Sequence, residues 1–181
     1  GTRVVMMSAW TEHDTVLRAL DAGAAGYVSK RQPMAEIVAA LERAAEGLQC
    51  KTAVHICYGY GIDANRQWKN TLGHEWRQYE QVFPALAKSR IDQVSLECMH
   101  SHVPLDLVGL LKGKDVMVGV IDVASDAVEA PEEVAETIGR ALQFVARDKL
   151  IACTNCGMAP MARGVAEAKL AALTRGAALA G

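Results

Sequence analysis

His55 and Cys57 stand two residues apart in a short apolar run, Ala53-Val54-His55-Ile56-Cys57-Tyr58, that stops at Gly59 and Gly61. Read as a strand, residues 53–58 put both side chains on one face, because alternate residues share a face. Imidazole nitrogen and thiolate sulfur are ligands for zinc, which takes four donors in a tetrahedron. Two later apolar runs end in further donors: Glu97 closes QVSLE (93–97), and Cys153-Thr154-Asn155-Cys156 follows LIA. Parallel strands bring their carboxyl ends together, so His55, Cys57, Glu97 and Cys156 become neighbours in an α/β sheet. A carboxylate ending an apolar strand is costly to bury unpaired, which is a reason to give Glu97 a cation. Spacing leaves Cys153 open as an alternative to Glu97 in a Cys3His set. A CxxC can also be a redox pair, but such pairs open a helix near the start of a domain. This one ends the last strand, so metal is the favoured reading. Zinc holds a bound thiol as thiolate near neutral pH, and a thiolate is the nucleophile of alkyl transfer.

The elements that must position these donors alternate along the chain. Strands are expected at 3–9, 26–29, 53–58, 93–97, 115–122 and 149–153. Between them lie helical patterns, with Val16, Leu17, Leu20 and Ala24 in the first and Ile37, Val38, Leu41 and Ala45 in the second. Residues 64–88 read as helix and loop, with Trp68, Trp76, Tyr79 and Phe83 on the apolar face. A shorter helix is expected at 103–111, a strong one at 131–145 and an Ala-rich one at 162–178. Six β/α units with no antiparallel signal predict an α/β fold with parallel strands, either an open sheet or part of a TIM-like barrel.

Half of the 181 residues are hydrophobic, enough for a sizeable core. A net charge of −2 gives no electrostatic case for nucleic acid or an anionic membrane surface. No apolar run reaches the ~18 residues of a membrane span. The start, Gly1-Thr2-Arg3-Val4, lacks a signal-peptide profile and an initiator Met, which reads as a fragment or a processed form from the cytoplasm. Five cysteines with no export signal suit free or metal-bound thiols. Cys50 and Cys98 are expected to be small buried thiols, and His74, His100 and His102 solvent-facing or packing side chains.

The first 48 residues, through SAW, ALDAGAAGYVSK and PMAEIVAALERAAEG, resemble the last two β/α units of a bacterial response-regulator receiver domain. That resemblance puts Ser8 at the switch hydroxyl, Tyr27 at the switch aromatic and Lys30 at the phosphoryl-contacting lysine. The acidic pocket of a receiver comes from its first three strands, which this sequence does not contain, so the segment is expected to serve as packing.

Residues 49–181 carry VHICYG, QVSLECMHSHVP, GKDVMVGVIDVASDAVEAPEEVAETI and LIACTNCGMAPMARGVAEAKLAAL. These resemble the C-terminal half of the catalytic barrel of cobalamin-independent methionine synthases, in the style of the short, single-barrel members. The resemblance implies Zn2+ held by His55, Cys57, Glu97 and Cys156, and methyl transfer to the thiol of homocysteine. It implies a methylfolate or methylcorrinoid as donor. Ala124 stands where the long enzymes carry a catalytic His, and Asp122 is expected as an acid at the substrate mouth. The first four barrel strands have no counterpart here, so the chain reads as two domains, 1–48 and 49–181, fused as a chimera. Self-association to complete the barrel is an expectation, and a non-catalytic β/α scaffold that still binds zinc is the alternative function.

Overall fold

The structure, a computed structural model, describes residues 5–8, 12–29, 32–60 and 63–181, without the side chains of residues 7, 8 and 64–66. Lys30 and Gly61 therefore lie outside the described residues, as does the side chain of Ser8.

Among the described residues six strands and six α-helices follow in this order: β1 (Val5–Ser8), α1 (His13–Asp21), β2 (Gly26–Ser29), α2 (Met34–Ala45), β3 (Ala53–Ile56), α3 (Asp63–Lys69), α4 (Phe83–Lys88), β4 (Gln93–Glu97), β5 (Asp115–Ile121), α5 (Pro131–Ala141), β6 (Leu150–Thr154) and α6 (Arg163–Leu179), with two helices between β3 and β4 and no α-helix between β4 and β5. Short 3-10 turns at Gln78–Gln81, Leu105–Leu110 and Arg147–Lys149 fill the longer connections. The expected helix at 103–111 is thus a 3-10 turn. Gly23 and Gly47, read as helix stops, adopt φ of +96° and +77°, a left-handed conformation that side chains resist.

All pairing is parallel, as the β/α alternation predicts. The strands do not form one sheet, however. β1 pairs with β2 in a two-stranded ribbon, and β3-β4-β5-β6 form a separate four-stranded sheet in sequence order. The reason lies in β3. A strand paired on both sides in a covered parallel sheet is apolar throughout, but β3 buries Val54 while exposing Ala53 and His55. Among the described residues it pairs with β4 alone. The ribbon joins the main body through α2, whose Val38 is part of the same core as the four-stranded sheet.

β4 and β5 are the buried centre, with Val94, Leu96, Val116, Val118, Val120 and Ile121 at most 1% exposed. Phe83 and Leu86 of α4, Leu107 and Val108, and Val134, Ile138 and Ala141 of α5 close over them. At the amino ends of the strands Asp115 accepts from Lys51 at 2.7 Å and Lys149 at 2.9 Å, joining the entries to β3, β5 and β6. The Lys51 bond first, then the Lys149 bond, hold its carboxyl below the usual carboxylate range. α6 lies so close to α5 that Gly176 leaves no room for a side chain against Val134. No helix among the described residues is long and apolar enough to cross a membrane.

Candidate metal centre

His55 projects from β3 opposite Ser95 of β4, and its Nδ1 lies 3.0 Å from the Ser95 Oγ. That contact orients the ring and leaves Nε2 as the nitrogen available to a ligand. Desolvation lowers the imidazole pKa against the opposing charge of Glu97, which favours the neutral, metal-binding ring. β3 ends at Ile56, one residue short of Cys57, so the expected strand through Tyr58 is shorter than its apolar run. The ladder stops because the Tyr58 N–H turns to the Glu97 side chain, donating to Oε1 at 2.7 Å. Gly59, at φ +82°, then carries the chain away.

Cys156 arrives from the opposite edge of the sheet, two residues beyond the end of β6. Asn155, fully buried, fixes that turn. Its N–H donates to the Ile121 carbonyl at 2.8 Å, and its Nδ2 to the Met99 carbonyl at 2.8 Å. Its Oδ1 accepts from the Cys98 and Met99 N–H groups. Gly119 makes the space, because a Cβ there would meet the Asn155 Oδ1 at 2.5 Å. The Thr154 hydroxyl donates to the Cys156 carbonyl at 2.8 Å.

The result is one group of three donors. Ligand atoms of His55, Cys57 and Cys156 all lie within 4.8 Å of one another, and the Cys57 and Cys156 sulfurs are 3.9 Å apart. Two thiolates on one tetrahedral zinc, at the usual bond length, sit about 3.8 Å apart, so the spacing and the donor types fit that ion. Burial first, then the neighbouring Cys156, push the Cys57 thiol up to about 11. A bound cation reverses that preference for the neutral form.

Glu97 is not in this group. Its side chain is nearly fully buried, as expected, but hydrogen bonds satisfy it: Oε1 accepts from the Tyr58 N–H and Oε2 from the Tyr60 hydroxyl at 2.5 Å. Cys153, the alternative donor, is also outside the group and lies 3.9 Å from the Ser95 Oγ. All five cysteines are free, and Cys50 is exposed rather than buried because it sits in the loop before β3. Tyr58 is the hub of an aromatic cluster, stacked on Trp68 and tilted against Trp76 and Tyr79, at centroid distances of 5.6, 4.7 and 4.9 Å.

Known proteins share this arrangement of elements. The catalytic-domain model of the cobalamin-independent synthases matches residues 74–179, more than half of the chain. The chain belongs to that family. The matched stretch holds Glu97 and Cys156, while His55 and Cys57 precede it. A methionine synthase of Saccharolobus islandicus (strain Y.G.57.14 / Yellowstone #1) is 28% identical over 150 residues, 82% of this chain and 40% of the relative. One from Thermococcus kodakarensis is 26% identical over 140 residues, 77% of this chain and 36% of the relative. Among solved structures, a B12-independent methionine synthase from Shewanella sp. W3-18-1, in complex with selenomethionine, overlays with a TM-score of 0.76 at 54% identity. That overlay covers 90% of this chain and 50% of the other. The chain thus spans half or less of the length of these relatives.

Within this family member, Asp122 stands just past β5. Its N–H donates to Glu129 at 2.8 Å, its Oδ1 accepts from the Ala124 N–H, and its Oδ2 lies 3.5 Å from the His100 Nδ1. The other His100 nitrogen lies 2.7 Å from Glu133 of α5. His100 also has φ of +50°, uncommon for a side-chain-bearing residue. It is a clamp between two carboxylates rather than a lone surface histidine. Pairing across 22 and 33 residues leaves no local pattern in the sequence.

The Glu133 bond first, with the Asp122 bond, raises the His100 pKa against partial desolvation. A raised folded pKa stabilises below the unfolded value and is lost as pH climbs through the folded one. The stability gap between the native chain and His100→Gln is therefore expected to be wider at about pH 6 than at about pH 9. Solvent screening keeps it small, since the side chain is 54% exposed. Urea midpoints at the two pH values check this, and an equal gap at both would contradict it.

Proposed function

We propose that this chain carries the thiol-activating part of a homocysteine methyltransferase, with zinc bound by His55, Cys57 and Cys156 and with Glu97 at hand beside them. The observation that carries the reading is the convergence of one imidazole and two thiols within 4.8 Å, in a member of the cobalamin-independent synthase family. When bound, zinc lowers the pKa of a substrate thiol so that it attacks as thiolate. In the transfer the homocysteine sulfur gains the bond to the methyl carbon as the donor's bond to it breaks, giving methionine. A methylated folate or a methylated corrinoid is the donor class.

The chain's own residues have separate tasks. Ser95 orients His55, and Asn155 seats the turn that carries Cys156. Glu97, hydrogen-bonded by the Tyr58 N–H and the Tyr60 hydroxyl, is the candidate fourth donor. Asp122, held by His100 and the Ala124 N–H, is the acid at the substrate mouth. In this reading the receiver-like segment is one part of a chimera and serves as packing, with Ile37 and Val38 of α2 buried. The sheet's open edges, β3 and β6, suit closure by further β/α units, because a barrel of this kind takes eight strands. Self-association is one route to that closure.

The test is a homocysteine titration of the zinc-loaded chain and of the chelator-stripped chain. Binding by the loaded form alone is expected; equal binding, or none, overturns the reading. Glu97 lies outside the three-donor group with both oxygens already bonded, and that favours a second reading, a scaffold that holds zinc without turnover. Zinc and homocysteine binding with no methionine formed from either donor class would select it.

A further inference from the structure

We propose that the cleft between α5 and the loops at 74–76 and 98–105 binds a small zwitterionic amino acid with a short apolar side chain, Arg140 taking its carboxylate and Glu136 its ammonium. The site is separate from the three-donor group and does not depend on the zinc reading.

The cleft has a volume of about 440 Å³, within the ~300–1,000 Å³ range of small-molecule sites. Its floor is apolar and preformed. Cys98, Met99 and Val103 are buried there, and the Thr137 hydroxyl lies 3.8 Å from the Met99 sulfur. The two loops form one wall and are fixed to each other. The Trp76 N–H donates to the His102 carbonyl at 2.9 Å, and the His102 and Trp76 rings lie 4.8 Å apart. The other wall is a face of α5, where Glu133, Glu136 and Arg140 follow at helical spacing.

Pairing decides which charges are left over. Glu133 is engaged by His100 at 2.7 Å, and Glu75 lies 3.5 Å from Arg77. Among the described residues, the Glu136 carboxylate and the Arg140 guanidinium have no hydrogen bond or ion pair. A glutamate four residues before a basic residue is the order that pairs best on a helix. The opposite order, Arg163 and Glu167 on α6, does pair, at 2.8 Å. Glu136 and Arg140 instead line the cleft separately, one of each sign. The Arg140 charge also reaches the floor: burial raises the Cys98 thiol pKa, and the guanidinium is among the groups that oppose it. A simple anion would leave Glu136 unmatched, and a simple cation would leave Arg140 unmatched. An α-amino acid carries both charges on one carbon, and the buried floor suits a short aliphatic chain. His100 links the cleft to the mouth of the metal centre, because it lines the one and holds Asp122 of the other. Its left-handed backbone, at φ +50°, is the kind of strain that collects at functional sites.

L-Norleucine is the probe, because it has no sulfur to offer a metal and no thiol to methylate. Calorimetric titration of the full chain is expected to show a single site in the zinc-loaded and the chelator-stripped protein alike. Arg140→Gln and Glu136→Gln should each weaken binding about tenfold or more, the scale of a hydrogen bond to a charged group. Norleucine methyl ester and N-acetylnorleucine, each lacking one charge, should weaken by a similar factor on the native chain. Glu136 and Arg140 are exposed, so neither substitution is expected to disturb the fold. A measurement on the native chain places the ligand directly. With isotope-labelled methionine methyls, the Met99 signal, assigned by its loss in Met99→Leu, should move as norleucine is added.

Equal norleucine affinity in the native, Arg140→Gln and Glu136→Gln chains overturns the proposal, and so does no binding at all. Binding that requires zinc, or that leaves the Met99 methyl unmoved, puts the ligand elsewhere and overturns it as well. N-acetylnorleucine bound as tightly as norleucine would remove Glu136 and end the amino-acid assignment. A chain that binds no zinc but keeps the norleucine site loses the metal reading alone.

Discussion

Serine in place of Cys57 weakens zinc binding by at least about a hundredfold, the share of one donor in a site of this class. The two sulfurs stand 3.9 Å apart with His55 completing the group, so removing one leaves a two-donor remnant. A hydroxyl is nearly the size of a thiol but stays protonated near neutral pH and does not replace a thiolate. The half-buried position of Cys57 should accept the change without loss of the fold. Metal analysis after gel filtration is the measurement. The native chain should retain close to one zinc per molecule and Cys57→Ser nearly none. Equal zinc in both would remove Cys57 from the site and, with it, the proposed role of the group. Cys50→Ser is the control, since Cys50 is exposed and outside the group.

Changing Lys169 to Met should cost about 3–5 kcal/mol of stability, the usual penalty for breaking a buried ion pair from one side. Lys169 of α6 has a fully buried side chain, and Glu129, on the loop after β5, is 2% exposed. The ammonium donates to both carboxylate oxygens, at 2.9 and 3.0 Å, and to the Ala127 carbonyl. All three of its protons are therefore used. Methionine keeps the length of the stem but leaves the Glu129 carboxylate buried without its cation. Glu129 also accepts the Asp122 N–H, so the loss spreads to the loop at the mouth of the site. Urea unfolding measures the effect, and a change under about 1 kcal/mol would show the pair to be incidental. Adding Glu129→Met should recover part of the loss, because replacing both partners by apolar side chains is often close to neutral.

The meeting of His55, Cys57 and Cys156 was legible because two simple rules converge on it. A two-residue period brings His55 and Cys57 to one side, and parallel strands gather their carboxyl ends, which brings Cys156. The burial of Glu97 was legible from its place at the end of an apolar strand. Its partners were not. Tyr60 reaches it from beyond the turn at Gly59, and the direction a chain takes after a turn depends on what it meets. Most helices and strands followed their periodicities, with 103–111 a 3-10 turn, β3 cut short at Ile56 and α5 ending at Ala141, but the division into two sheets did not, because pairing depends on which edges meet rather than on the pattern within a strand. β3 carried a hint in its alternation of buried and exposed residues, which suits an edge. Cys50 shows the limit of residue type as a guide: a free thiol in a connecting loop is exposed whatever its usual preference.

The position of the two sulfurs has one more consequence. β3 and β6 are the outer strands of the sheet, with β4 and β5 between them. In a flat sheet their axes would lie about 14 Å apart. Cys57 and Cys156 nevertheless approach to 3.9 Å across 99 residues of chain. An ion shared by them would act as a reversible cross-link between distant parts of the polypeptide, formed only when folding brings the two sulfurs together. Resistance to unfolding would then depend on free zinc concentration, through mass action on the folded state. The same three side chains that prepare a thiol for reaction would serve as a clasp on the curvature of the sheet.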